Sequence, residues 1–144
     1  LWESNAIVRY ICAKYGNDQL YPQDLAQRFD AERWMDWQQT TLNRESGGAF
    51  LQWFRTPADK RDPAVIARST AATEPAMAQL NDHLATRTWM CGEHFSMADI
   101  PVACDVHRWF ALPQPRPDWP HLERWFAAIL ARPATRGVLD LPIS

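Results

Sequence analysis

The pair Glu3-Ser4 stands at the head of the apolar-periodic stretch NAIVRYICAKYG. A helix N-terminus presents backbone N–H groups without intrahelical partners and a partial positive charge, so a serine there can cap the helix or help to hold a carboxylate. A glutamate just ahead of it can bind an ammonium, and the two together match the charged end of an α-amino acid. Cys91-x-x-His94 has a spacing found in zinc sites, but zinc needs two more ligands and none stands at a recognisable distance, so no metal site is expected. Asp105 and His107 are an acid and a base two residues apart, which a helix turns to different faces. Ser96 and Asp99 form an S-x-x-D capping box, and that role accounts for both. No G-x-S-x-G, P-loop or dinucleotide fingerprint is present.

The elements that must position these residues read as helices throughout, with a 3.6-residue period and no run of β-branched alternation. The first spans about Asn5 to Tyr15, capped by Ser4 and closed by Gly16 as a left-handed C′ residue; Ile7, Tyr10, Ile11 and Val8, Cys12, Tyr15 are its apolar stripes. NDQLYPQD is a linker. A second helix from about Leu25 to Arg44 is broken or bent where Gly47 and Gly48 follow, and Asp24 is its cap. A third, about Ala64 to Thr86, carries Val65, Ala72, Ala76, Leu80 and Leu84 on one face and contains Pro75, where a kink is expected. The capping box starts a fourth at Met97, with Phe95 and Ile100 placed for a hydrophobic staple. A stiff LPQPRPDWP connection leads to a last helix from about Pro120 to Arg132, whose buried face is Leu122, Trp125, Phe126, Ile129 and Leu130.

Composition bounds the class. The chain has 144 residues, 47% hydrophobic and 22% charged, with a formal net charge of −2, which excludes a disordered chain and gives no electrostatic footprint for nucleic acid. No apolar run approaches the roughly 20 residues that span a bilayer. Three widely spaced cysteines suit reduced thiols, so the expected location is cytoplasmic.

ESNAIVRYICAKYG, then LYP, ERWMDW and FSMADIP, in that order across nearly the whole chain, resembles a bacterial-type cytosolic glutathione S-transferase. The resemblance implies an all-α fold, a glutathione-transferase C-terminal-type helical bundle of five or six helices. It divides the chain into residues 1–16, the final helix of a thioredoxin-like glutathione-binding domain, a linker at 17–24, and an all-helical domain at 25–144. It implies that the Ser, Tyr or Cys activating the glutathione thiol belongs upstream of Leu1, so no catalytic residue is assigned here. Glu3 and Ser4 then hold glutathione, the co-substrate; an isolated Glu-Ser would read as a plain cap. By position, Asn43, Arg44, Phe50 and Trp109 are nominated for the electrophile pocket. The expected partners are glutathione, a small apolar electrophile and a second copy in a homodimer, without nucleic acid or membrane. The alternative is a non-catalytic transferase-like domain used for dimerisation or apolar-ligand binding. The 144 residues alone are expected to be inactive.

Overall fold

The computed structural model describes residues 1–143, which carry six α-helices and no β-sheet, only an isolated bridge between Trp89 and Gly92. In chain order they are α1 (Ser4–Tyr15), α2 (Leu25–Trp37), α3 (Asn43–Phe50), α4 (Pro63–Leu84), α5 (Asp99–Phe110) and α6 (Pro120–Leu130). The core lies between α2, α3, α4, α5 and α6, where Met35, Leu42, Met77, Leu80, Val102, Trp109, Leu122 and Trp125 are buried. No described helix is long and apolar enough to cross a membrane.

Two helix starts are fastened by aspartates, the first as expected and the second not foreseen. Asp24 accepts from Gln27 N at 3.0 Å, and Asp62 caps α4 by accepting from Ala64 N at 2.8 Å. α6 begins with Pro120 and has no cap of its own; Asn81 of α4 supplies one, its Oδ1 accepting from the backbone of His121 and Leu122. In return Arg124 donates to the carbonyls of Leu84 and Arg87 at the open end of α4. Each helix thus satisfies the other's orphaned backbone groups.

The long second helix departs from expectation. α2 stops at Trp37, a π-helical turn covers Gln38–Leu42, and α3 continues straight through Gly47 and Gly48 before a second π turn at Leu51–Arg55. The glycine pair does not break the helix. Instead a Cβ on Gly48 would lie 3.1 Å from the Ser69 Cβ, so the glycine admits close approach of α4. Ser69 uses that approach: its hydroxyl accepts from Ala49 N at 2.9 Å and donates to the Glu45 carbonyl, wedged into the hydrogen-bond ladder of α3. Ser69→Ala is therefore expected to cost about 1–2 kcal/mol, because two buried backbone groups lose their bridge. Urea unfolding at neutral pH measures it; an unchanged midpoint would mean that the ladder closes directly.

At α1, helical structure starts on Ser4 itself, without a side-chain cap, and Glu3 occupies the cap position. Gly16 is extended (φ −81°, ψ 176°) rather than left-handed; the residue is glycine because a Cβ there would sit 2.4 Å from the Cys12 carbonyl oxygen. One face of α1 packs on α2, with Asn5 and Cys12 buried, while Tyr10, Ile11 and Tyr15 stay exposed. α5 begins at Asp99, two residues later than the capping box suggests, and α6 ends at Leu130, which is 41% exposed and so outside the buried face.

His83, half-buried on α4, lies 2.7 Å from the Met90 carbonyl through Nε2 and against the Trp34 ring. Burial lowers its pKa, with the Met90 bond and Asp30 opposing and Arg87 and Arg33 assisting. Since the folded value is depressed, the unfolded chain takes up the proton first as pH falls. The contribution is complete above about pH 6.5 and is lost below it. His107 shifts the same way, through burial and then Arg108. The urea midpoint of His83→Gln is expected to fall less between pH 7.5 and 5.5 than that of the parent; parallel profiles would remove His83 from the acid response.

Candidate functional site

The N-terminus of α1 is built from an unusual backbone. Glu3 has φ 68° and ψ 114°, the only positive φ outside glycine among the described residues. Such a conformation costs of order 1–3 kcal/mol and concentrates at functional sites. Glu3 and Ser4 are both exposed, at the open end of the helix whose first N–H groups lack side-chain caps.

Directly behind them, Asn5 is buried. Its Nδ2 donates to the Met35 carbonyl at 2.8 Å and to Gln38 Oε1 at 3.0 Å, and its Oδ1 has no partner. Gln38 Nε2 in turn donates to Asp105 Oδ2 at 2.7 Å, and the other oxygen of Asp105 faces Arg108 Nη1 at 3.4 Å. This buried line runs from α1, through the π turn, to α5. Burial raises the pKa of Asp105, opposed by the Gln38 bond and Arg108. Gln38 was not among the sequence candidates, and Asp105 entered only beside His107, as an acid and base that a helix separates. The usable signal was a carboxylate on a face otherwise made of Val102, Ala103, Val106 and Trp109.

Arg108 also leads to a cleft. Its guanidinium lies 5.2 Å from the Phe50 ring centroid, and Arg55 lies 5.8 Å from the same ring. These residues, with His107 and the C-terminal tail at Leu139 and Ile143, line a cleft of about 330 Å³. Of the four nominated pocket residues, only Phe50 is in it. Arg44 is exposed beside Glu45, on a groove facing α4, and Asn43 sits half-buried at the start of α3. Trp109 is 1% exposed in the core and offers no stacking surface; its position on the helix was right for either role, and packing took it.

The capping box is more than a cap. The Asp99 carboxylate accepts from Ser96 N at 2.8 Å and Ser96 Oγ at 3.1 Å, but also from Met90 N at 2.9 Å and Trp125 Nε1 at 2.8 Å. It joins the 89–92 turn, α5 and α6 below the surface, and it is fully buried. Phe95 meets Trp89 edge-on, with the Arg132 guanidinium 3.9 Å from its ring centroid.

Cys91 and His94 do not form a ligand pair with partners: among the described residues no group of three His, Cys, Asp or Glu side chains gathers. Burial pushes the Cys91 thiol up to about 11, far from a thiolate at neutral pH. Asp105 and His107 diverge as the helix requires, His107 stacking on Phe126.

Comparison with known proteins decides the family. Over all 144 residues the chain is 38% identical to the glutathione S-transferase GstB of Escherichia coli K12, spanning 69% of that protein. The chain belongs to the glutathione S-transferase family. Residues 63–128 match the family's C-terminal domain. The fold superposes on a theta class glutathione S-transferase of Xanthomonas axonopodis pv. citri, solved with glutathione bound, with a TM-score of 0.95 and 38% identity, covering all of this chain and 69% of that one. A more distant relative, elongation factor 1-gamma 1 of rice, is 26% identical over 96% of this chain and 34% of its own length. Among glutathione S-transferases, then, this chain corresponds to the C-terminal portion, and the expected all-helical C-terminal architecture is the one found.

Proposed function

We propose that this chain supplies the electrophile-binding half of a glutathione-conjugating enzyme, with Glu3 and Ser4 gripping the γ-glutamyl end of glutathione. The observation that carries the reading is the strained Glu3 backbone at the uncapped N-terminus of α1, in a chain 38% identical to a transferase solved with glutathione. In this reading residues 1–16 belong to a thioredoxin-like domain, 17–24 to a linker and 25–144 to the helical domain. The glutathione thiol gives its proton to a group outside these residues, sulfur bonds the electrophilic carbon, and the displaced electron pair leaves with a leaving group or, at a conjugated alkene, takes up a proton.

The electrophile enters the cleft between Phe50, Arg108 and the C-terminal tail, with Asn43 and Arg44 outside it. A cytoplasmic homodimer with a detoxifying role completes the proposal. Its support is three unpaired cysteines and the exposed apolar side chains of Leu25 and Phe29 on α2.

Joined to a thioredoxin-like domain ahead of residue 1, the protein is expected to conjugate, and Ser4→Ala is expected to raise KM for glutathione about tenfold while KM for the electrophile stays within about twofold. The 144 residues alone are expected to turn over negligibly, since proximity contributes only when both reactants are held. Conjugation by the 144 residues at an ordinary enzymatic rate would place the activating group among them and overturn this reading. A second reading, a non-catalytic transferase-like domain, is favoured by the likeness to elongation factor 1-gamma 1. It predicts that the joined protein binds no glutathione.

A further inference from the structure

Resting on the reading of the Phe50 cleft as the electrophile site, we infer that the site selects electrophiles that carry a carboxylate or similar oxyanion beside an apolar body. Phe50, Leu139 and Ile143 give the cleft an apolar wall, and about 330 Å³ suits one aromatic ring with a short side chain. Among the described residues its charged side chains are Arg55 and Arg108, and none that lines it is a carboxylate. Both guanidiniums are anchored over the same ring, which fixes them at the rim of the apolar floor.

Among the described residues one carboxylate, Asp105, pairs with Arg108 and none pairs with Arg55, so positive charge is left over at the cleft. Asp105 is the carboxylate nearest to Arg108; it is 2% exposed and already accepts from Gln38, so it holds Arg108 from behind without reaching the cleft. Arg55 forms no ion pair among the described residues. His107 on the same wall is neutral near pH 7, because burial and then Arg108 lower its pKa. A planar carboxylate bridging two guanidiniums above an aromatic floor satisfies donors that an uncharged apolar ligand would leave to water.

The test uses the 144-residue chain and a matched pair of probes, 4-phenylbutyrate and its primary amide, measured by titration calorimetry at low salt. The carboxylate is expected to bind about tenfold more tightly than the amide, the advantage of a charge-assisted hydrogen bond at a partly exposed site. Arg55→Gln, at an exposed position with the circular dichroism of the parent, is expected to erase most of that preference, and Arg55→Lys to restore part of it. Phe50→Ala is expected to weaken both probes alike. If acid and amide bind equally but Phe50→Ala weakens both, the anion preference is wrong and the pocket reading stands. If neither probe binds, or Phe50→Ala changes nothing, the pocket reading and this inference fail together.

Discussion

Asp99→Ala is expected to destabilise the protein by about 3–5 kcal/mol, several times the loss of an ordinary helix cap. The carboxylate receives four hydrogen bonds from three separate segments: the Met90 turn, Ser96 and the Trp125 indole. Its removal leaves the Trp125 Nε1–H and two backbone N–H groups in a site that water does not reach, each costing about 1–3 kcal/mol if unsatisfied, with partial relaxation reducing the sum. Burial raises the pKa of Asp99, opposed by those same donors. Asp99→Asn keeps the shape but turns an NH2 toward donors, so it is expected to recover less than half of the loss. Ser96→Ala removes one hydroxyl bond of the four and a weak 3.4 Å contact to Ala98 N, for about 1 kcal/mol. Urea titrations followed by tryptophan emission separate the cases. Equal midpoint shifts for Ser96→Ala and Asp99→Ala would reduce Asp99 to the local cap that S-x-x-D spells.

How much of this was legible depends on whether a feature is local. The cap at Asp24, the start of α6 after the proline-rich connection and the all-helical class follow from spacing within a few residues. The interrupted α2 does not. The π turn begins at Gln38, a side chain held by Asn5 33 residues earlier and Asp105 67 residues later, and no window of the sequence contains that triangle. Gly47-Gly48 looked like a breaker because intrinsic propensity was the only information available. The decisive partner, Ser69, lies across the chain on α4. Trp109 and Phe50 are both aromatic at helical spacing, and only packing separates a core ring from a cleft wall. Arg55 carried no signal at all: a lone arginine near a helix end is ordinarily solvated, and its meaning comes from Phe50 and Arg108 beside it.

α1 is expected to be the first part of the protein to open, and Asn5→Ala to free it from the rest. Its hold on the rest of the chain consists of the Asn5 bonds to Met35 and Gln38, the ion pairs of Arg9 with Glu32 and Asp36, burial of Cys12 and packing of the partly buried Val8, while Tyr10 and Ile11 remain about half exposed and Tyr15 71% exposed. A helix of 12 residues is marginal without such a hold. Amide exchange in α1 should accordingly run about a hundredfold or more faster than in α5, whose buried face carries Val102, Val106 and Trp109. Removing the Asn5 amide is expected to weaken the docking by about 2 kcal/mol and to abolish protection in α1. The global urea midpoint should nonetheless barely move. Once α1 leaves, water reaches the Met35 carbonyl and Gln38, so no buried group stays orphaned in the five remaining helices. That dissociation of local from global stability is what a helix belonging to a neighbouring layer predicts. Simultaneous loss of protection in α1 and α4 would instead make α1 an integral part of the helical domain, and the division of the chain at residues 17–24 would fall with it.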